Sequence, residues 1–372
     1  MVVWGVCLGY LCYQILLITG WAMTPPAQAL GGTSDIRFTV IIPVRNEAGH
    51  IYNLLEDLYN QSIDRSRFEV IVSDDFSEDD TVGEVMRARA VLGMEITVIQ
   101  GDQQADDKPG KKYAITRAIA KAAHMHIVCT DGDCRVGPGW LAQYEAHYQQ
   151  TGSKMVLGPV VFNAGGSLFE RLQKVEFSAL IGLGASSLRL KMPTTCNGAN
   201  LSYEKSLFEE LDGYADNVKV PSGDDEFLLQ KAYDRYPDKI SFLKAAEAIS
   251  YTSPKRTMKE FVNQRIRWSA KWRFHTSSRM RLWGTTMFLF YLGWVMLTFS
   301  LFNDPYRDLF ISTIVVKLIL EYVNIYRINS DLREEIPLLI TIFLLLIYPF
   351  YIIFLFVSSF VGRYRWKDRM YL

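Results

Sequence analysis

Between Phe38 and Asp133 the sequence repeats one plan four times: a short apolar run, a polar loop, and then an apolar recurrence at helical spacing or a charged turn. Phe38-Thr39-Val40-Ile41-Ile42 runs into Pro43-Val44-Arg45-Asn46-Glu47, after which Ile51, Leu54, Leu55 and Leu58 mark one helix face. Phe68 to Ser73 runs into Asp74-Asp75-Phe76-Ser77 and a predicted helix from Glu78 to Leu92. Glu95 to Ile99 is followed by Lys108-Pro109-Gly110-Lys111-Lys112 and a helix carrying Ala114, Ile115, Ala118, Ile119 and Ala122. Met125 to Cys129 ends in Thr130-Asp131-Gly132-Asp133. Strands alternating with helices predict an α/β domain with a mainly parallel sheet flanked by helices, its polar loops gathered along one edge.

Asp131 and Asp133 arrive at the carboxyl end of a strand, where open α/β sheets collect ligands. Gly132 permits a tight turn, so both carboxylates address one region. Hard oxygen ligands of this kind suit Mg²⁺ or Mn²⁺, ions that keep waters and phosphate oxygens in the rest of their shell. An isolated Asp-Gly-Asp is also an ordinary strand-ending turn, so its meaning depends on its neighbours.

The balance of 40 basic and 40 acidic residues gives no footprint for a nucleic-acid partner. The five cysteines follow neither a zinc spacing nor a disulfide framework, which fits a reducing compartment.

Val2 to Met23 carries no charge and is about as long as a bilayer-crossing helix. Ala27-Gln28-Ala29 resembles a cleavage site, but the positive n-region of a signal peptide is missing, so residues 1–24 are expected to be a retained anchor. Arg37 and the basic residues after it place the domain predicted over 37–275 on the cytoplasmic side. Apolar runs resume at Leu282 to Phe302, Leu309 to Ile328 and Ile336 to Val361, predicting two to three membrane helices over 282–362 before a basic tail, 363–372. Four full crossings would put that tail outside, against the charge bias. Either Leu309 to Ile328 lies in the interface or Ile336 to Val361 re-enters; the first is expected, because Lys317 and Glu321 stand i, i+4 within the former run.

Leu168 to Leu190 reads as a helix that is either core or a membrane-facing acceptor surface. Gly198-Ala199-Asn200 follows, and then Asp224 and Asp225 open a helix. Ser222 with Asp225 fits a capping box, and the helix dipole that favours acids there also keeps an aspartate ionised, as a general base requires. In the basic stretch Lys255 to Arg281, Gln264, Arg267 and Trp268 share one helical face. Attraction to anionic lipid is the alternative reading of that stretch.

Taken in order, Pro43 to Glu47, Asp74 to Ser77, Gly110-Lys111, Asp131-Gly132-Asp133, Gly198 to Asn200, Asp224-Asp225 and Gln264 to Trp268 resemble the motifs of a membrane-anchored family 2 glycosyltransferase, an inverting enzyme of GT-A fold, from roughly Phe38 to Trp272. The resemblance implies that Pro43, Arg45 and Glu47, with Asp74 or Asp75, contact the uracil and ribose of a UDP-sugar, and that Lys111 supports the same nucleotide. It makes Asp131 and Asp133 the metal motif, with Asp131 also at the nucleotide sugar. Asp225 is implied as the catalytic base, with Asp224 the alternative because Glu-Asp is the more usual pair. Gly198, Asn200, Gln264, Arg267 and Trp268 are implied at the diphosphate and acceptor, with Arg267 offsetting the leaving charge. The ending Trp366-Lys367-Asp368-Arg369 is similar to the Trp-Lys-Gly-Arg of ceramide glucosyltransferase-like enzymes. It implies transfer of one sugar to a lipid or lipid-linked hydroxyl at the cytoplasmic face of a membrane, the bacterial inner membrane being expected. The alternatives are a processive polysaccharide synthase, a non-catalytic sugar-nucleotide or lipid-binding scaffold, and a small transporter motivated by Lys317 and Glu321.

Overall fold

The uncharged N-terminal run forms one helix, α1 (Val2–Met23), and the strand and helix repeats follow it. They are β1 (Phe38–Val44), α2 (Ile51–Tyr59), β2 (Phe68–Asp74), α3 (Thr81–Leu92), β3 (Ile96–Gln100), α4 (Lys111–Lys121) and β4 (His126–Cys129). After them come β5 (Arg135–Val136), α5 (Trp140–Thr151), β6 (Met155–Leu157), β7 (Val160–Phe162), α6 (Leu168–Arg189), β8 (Leu201–Glu204) and α7 (Lys205–Glu210). Next are α8 (Asp224–Arg235), β9 (Ile240–Phe242), β10 (Ser250–Thr252), α9 (Met258–Ala270) and α10 (Ser278–Leu297). The chain closes with α11 (Asp304–Asp331), α12 (Leu338–Val361), β11 (Tyr364–Trp366) and β12 (Arg369–Tyr371). This computed structural model describes residues 2–27, 35–101, 108, 110–218, 220, 222–274, 277–302, 304–361, 364–366 and 369–371; Pro109, Lys367 and Asp368 of the motifs above lie outside them.

Two units result. One comprises Thr24–Asn163 with Lys191–Ser253, and the other Met1–Met23 with Ala164–Leu190 and Pro254–Leu372. The sequence expectation of one continuous domain over 37–275 therefore changes: α6 and α9 belong with the apolar helices, because their buried faces pack there.

In the α/β unit a seven-stranded sheet has the order β3-β2-β1-β4-β8-β6-β9. β1 is parallel to β2 and β4, and β2 to β3, whereas β8 runs antiparallel to β4 and β6. Every residue of β1 is buried, as in a parallel strand covered on both faces, which explains its unbroken apolar run. Ile51, Leu54, Leu55 and Leu58 of α2 join Val40, Ile42, Val70, Val72 and Trp140 in one core, as their helical spacing demands. The register sets Val44 beside Asp74 and Ile41 beside Cys129, so the loops after β1, β2 and β4 leave at the same edge.

In the helical unit, small residues let helices approach closely. A side chain at Gly20 of α1 would stand 2.8 Å from the Ser186 carbonyl oxygen of α6, and one at Gly182 would overlap Ile328 of α11. Phe177 and Ile181 are buried, so α6 is a core helix, the packing alternative of the two. Four helices, α1, α10, α11 and α12, are long and apolar enough to cross a membrane among the described residues.

α11 runs beside α1 along its length: Phe310 shares a cluster with Cys7 and Tyr10, the Tyr10 hydroxyl donates to Glu321, and Trp21 Nε1 donates to Asp331 Oδ2 at 2.8 Å. α11 is thus long and apolar enough to cross a membrane, where the sequence expectation was an interfacial helix over 309–328. Its two charges face other helices rather than headgroups: Lys317 Nζ donates to Glu321 Oε2 at 2.6 Å and to the Leu345 carbonyl oxygen at 3.0 Å. That carbonyl lies four residues before Pro349 of α12, whose missing N–H cannot serve it. Beyond Pro349, α12 turns its contacts toward α9 and the first half of α10. The Tyr351 ring stacks on Phe261, Phe356 stacks on Phe288 with centroids 4.2 Å apart, and β11 lies against α9.

Candidate active site

The loops after β1 and β2 brace each other. Asn46 and Phe76 take positive φ values of 55° and 57°, folding both loops back. Arg45 Nη1 donates to the carbonyl oxygens of Asp75 at 2.9 Å and Phe76 at 2.5 Å, and Nη2 pairs with Glu78 Oε1 at 2.7 Å. The Asp74 carboxylate accepts the Ser77 amide, and the Glu47 amide donates to Thr81 Oγ1 at 2.8 Å. Pro43, in β1 opposite Ser73, is buried. Arg45, Asp74 and Asp75 are only 6%, 5% and 3% exposed, so their polar atoms chiefly shape the two loops. Asp75 Oδ1 also accepts the Gly110 amide at 2.6 Å, which anchors the start of α4. Gly110 has φ 138°, a conformation that favours glycine.

That anchor delivers Lys111 to the acids. Its Nζ lies 2.7 Å from Asp131 Oδ1 and 3.2 Å from Asp224 Oδ2. The Gly198 amide donates to Asp225 Oδ2 at 3.0 Å, and the Glu226 amide to Asp225 Oδ1 at 2.7 Å. A side chain at Gly198 would stand 3.0 Å from Asp224 Oδ2 and 3.3 Å from Lys111 Nζ, so the glycine lets the backbone reach the acids. Lys111, Asp131, Gly198, Asp224 and Asp225 are therefore gathered at the carboxyl edge of the sheet, with Asp133 two residues along the same turn. Burial alone would lower the Lys111 pKa, but Asp131 and Asp224 outweigh it and raise it. Burial pushes Asp224 up, and the Lys111 and Lys112 ammonium groups more than offset this, holding it below the usual carboxylate range.

Gly132 serves the site by close approach: a side chain there would lie 2.9 Å from Val44 Cγ1 and 3.2 Å from Glu47 Cγ. This lets the β4 loop seat against the β1 loop with Asp131 and Asp133 both half-buried. Among the described residues no third His, Cys, Asp or Glu joins a metal-binding group with them. Two carboxylates leaving the rest of a shell to water and phosphate oxygens fit Mg²⁺ or Mn²⁺.

Two expectations change. The N-cap of α8 is Gly223, at φ 80° and without a side-chain bond, rather than Ser222, which is 5% exposed. Asn200, expected at the acceptor, is wholly buried instead. Its Oδ1 accepts from Trp140 Nε1 at 2.9 Å and the Tyr144 hydroxyl at 2.7 Å, and its Nδ2 donates to the carbonyls of Pro159 and Ala248. With its amide fully engaged, Asn200 fastens α5 to the strand edge.

In the helical unit, α9 starts with a capping box of Thr257 and Glu260 and carries Gln264, Arg267 and Trp268, all half-buried. Sequence reasoning missed Arg265, between them, which is 2% exposed and forms a fork with Glu176 of α6. The available signal was an acid, Glu176, within an apolar helical run.

The model of glycosyl transferase family 2 matches residues 39–212, and that of glycosyl transferase family group 2 matches residues 126–357. The chain is 28% identical to glycosyltransferase AglE of Haloferax volcanii over 54% of its own length and 63% of that protein. It is 24% identical to the poly(ribitol-phosphate) beta-N-acetylglucosaminyltransferase TarS of Staphylococcus aureus over 53% of its length and 32% of that protein. It thus spans less than two thirds of either curated relative. The solved mannosyltransferase PcManGT from Pyrobaculum calidifontis, in complex with GDP-Man and Mn²⁺, shares the fold with a TM-score of 0.58, 17% identity and 96% coverage of each chain. With the group model covering more than half of its residues, the chain belongs to glycosyl transferase family group 2.

Proposed function

We propose that this enzyme moves one sugar from a UDP-sugar to a hydroxyl of a membrane lipid or lipid-linked acceptor, inverting the anomeric configuration. The observation that carries the reading is the meeting of Lys111, Asp131 and Asp224 at one strand edge, beside Asp225 held on the Gly198 amide. Asp225 is the base: two backbone amides fix its carboxylate, and it removes the acceptor proton as the hydroxyl oxygen attacks the anomeric carbon opposite the leaving group. The bond from that carbon to the diphosphate oxygen breaks with its electron pair leaving on the diphosphate. Asp224, kept ionised and paired by Lys111, positions that lysine toward the nucleotide diphosphate. Asp131 and Asp133 would hold Mg²⁺ or Mn²⁺, which supplies positive charge to the departing diphosphate. Gln264, Arg267 and Trp268 are given the acceptor and the leaving diphosphate on the family pattern. The four apolar helices support a membrane acceptor, and the basic residues flanking them support the cytoplasmic face.

A polymer acceptor is the second reading, favoured by the similarity to TarS, a poly(ribitol-phosphate) beta-N-acetylglucosaminyltransferase. Incubating purified protein with UDP-glucose, UDP-N-acetylglucosamine or GDP-mannose, total membrane lipid and MnCl₂, then weighing products by mass spectrometry, tests both. One added hexose on lipid is expected, and a ladder of additions points to the polymer. Asp225→Asn is expected to abolish transfer while UDP still binds; unchanged turnover would remove the mechanism.

A further inference from the structure

The residue between the motif positions of α9 faces inward and ends in a buried cluster. Arg265 Nε lies 3.1 Å from both carboxylate oxygens of Glu176, and Nη2 lies 2.5 Å from Oε2. The Tyr351 hydroxyl of α12 donates to Glu176 Oε1 at 2.9 Å. Glu176 and Arg265 side chains are 4% and 2% exposed, so this pair is desolvated and persists only with its partners in place. Arg265 Nη1 then reaches Gln264 Oε1 at 2.5 Å, and its guanidinium lies 4.4 Å from the Trp268 ring centroid. Since a guanidinium only donates, the Gln264 carbonyl must turn toward it, and the Gln264 NH₂ group must turn away.

We propose that Glu176 is a positioning residue for glycosyl transfer: through Arg265 it fixes the amide orientation of Gln264 and the ring of Trp268, with Tyr351 clamping Glu176 from α12. This rests on the reading that the α9 motif acts on the acceptor and diphosphate. Glu176 does not touch substrate in this account. Its carboxylate is the fixed point from which two motif side chains are set.

The test compares Glu176→Gln, Tyr351→Phe and Arg267→Ala in the full-length chain, using the donor that is active in the panel above. Calorimetry with UDP and MnCl₂ counts binding-competent sites, so kcat is expressed per competent site. Misplacement of reacting groups by an ångström costs about 100-fold, so Glu176→Gln is expected to lower kcat per site by about 10- to 100-fold with the UDP Kd unchanged. Tyr351→Phe, which deletes one hydroxyl and no charge, is expected to lower it about threefold to tenfold on the same grounds. A Glu176→Gln/Arg265→Met double variant should be no slower than the slower single variant, because the residues act as one unit. If Arg267→Ala is inactive while both Glu176→Gln and Tyr351→Phe keep wild-type kcat per site, the positioning role is overturned. A role in folding alone would lower the number of competent sites without changing kcat per site, which also overturns it. Full activity of Arg267→Ala would instead sink the functional reading of α9.

Discussion

Lys111 Nζ lies 2.7 Å from Asp131 Oδ1, which ties the first turn of α4 to the end of β4. A cation supplied by the chain is thus already in contact with the first acid of the proposed metal pair, and it also reaches Asp224. Lysine and acids together make one electrostatic unit in which each charge sets the state of the others.

Lys111→Met should therefore act on stability in a pH-dependent way. Asp224 has a folded pKa below its ordinary 3.8, so the pair's contribution is present above that value and is lost as pH falls through the lowered pKa. Lys111 has a folded pKa above its ordinary 10.5, so its contribution is complete below that value and is lost only at higher pH. Thermal unfolding in detergent should show the variant less stable by about 2 kcal/mol at pH 7, allowing for partial exposure of the pair. The gap should narrow as pH falls through the lowered Asp224 pKa. A gap that widens toward acid would contradict the pairing.

Asn200→Ala is expected to fail by unfolding rather than by slow turnover. It strands Trp140 Nε1, the Tyr144 hydroxyl and the Ala248 carbonyl oxygen, at about 1 to 3 kcal/mol for each buried group left unmet, with some recovered by relaxation, while the Pro159 carbonyl keeps the Ser250 amide. Denaturation midpoints measure this directly. A stable variant with a raised acceptor KM would return Asn200 to the acceptor.

Lys317→Met should destabilise the helical unit by about 3 to 5 kcal/mol, because it leaves Glu321 buried without its cation and the Leu345 carbonyl without its donor. Adding Pro349→Ala supplies a backbone N–H for that carbonyl and should recover part of the loss in thermal unfolding. No recovery would mean that the carbonyl contact does not matter.

Much of this was legible from periodicity. The buried runs starting at Phe38, Phe68 and Ile127, and the helical spacing of Ile51 to Leu58, give the sheet and its cover because burial on two faces leaves little choice of residue. The acids at Asp131, Asp224 and Asp225 were legible as residue types, but the bridge made by Lys111 depends on how α4 and α8 are placed at the strand edge. Asn200 was misread because its motif context looks exposed, whereas its partners come from α5, far off in sequence. Ser222 yielded to Gly223, since a left-handed glycine starts α8 without a side-chain cap. For α11, apolar composition with one charge pair fits a spanning and an interfacial helix equally well, and the partners of Lys317 and Glu321 on α1 and α12 depend on helix packing that the sequence does not give.

The most direct test is to count bound Mn²⁺ by electron paramagnetic resonance, with and without UDP, for wild type, Asp131→Asn and Asp133→Asn. The account predicts one UDP-dependent Mn²⁺ per wild-type chain, about tenfold or more weaker binding in each variant, and transfer lost in step with it. Variants that bind Mn²⁺ and UDP like wild type and still transfer sugar would contradict it.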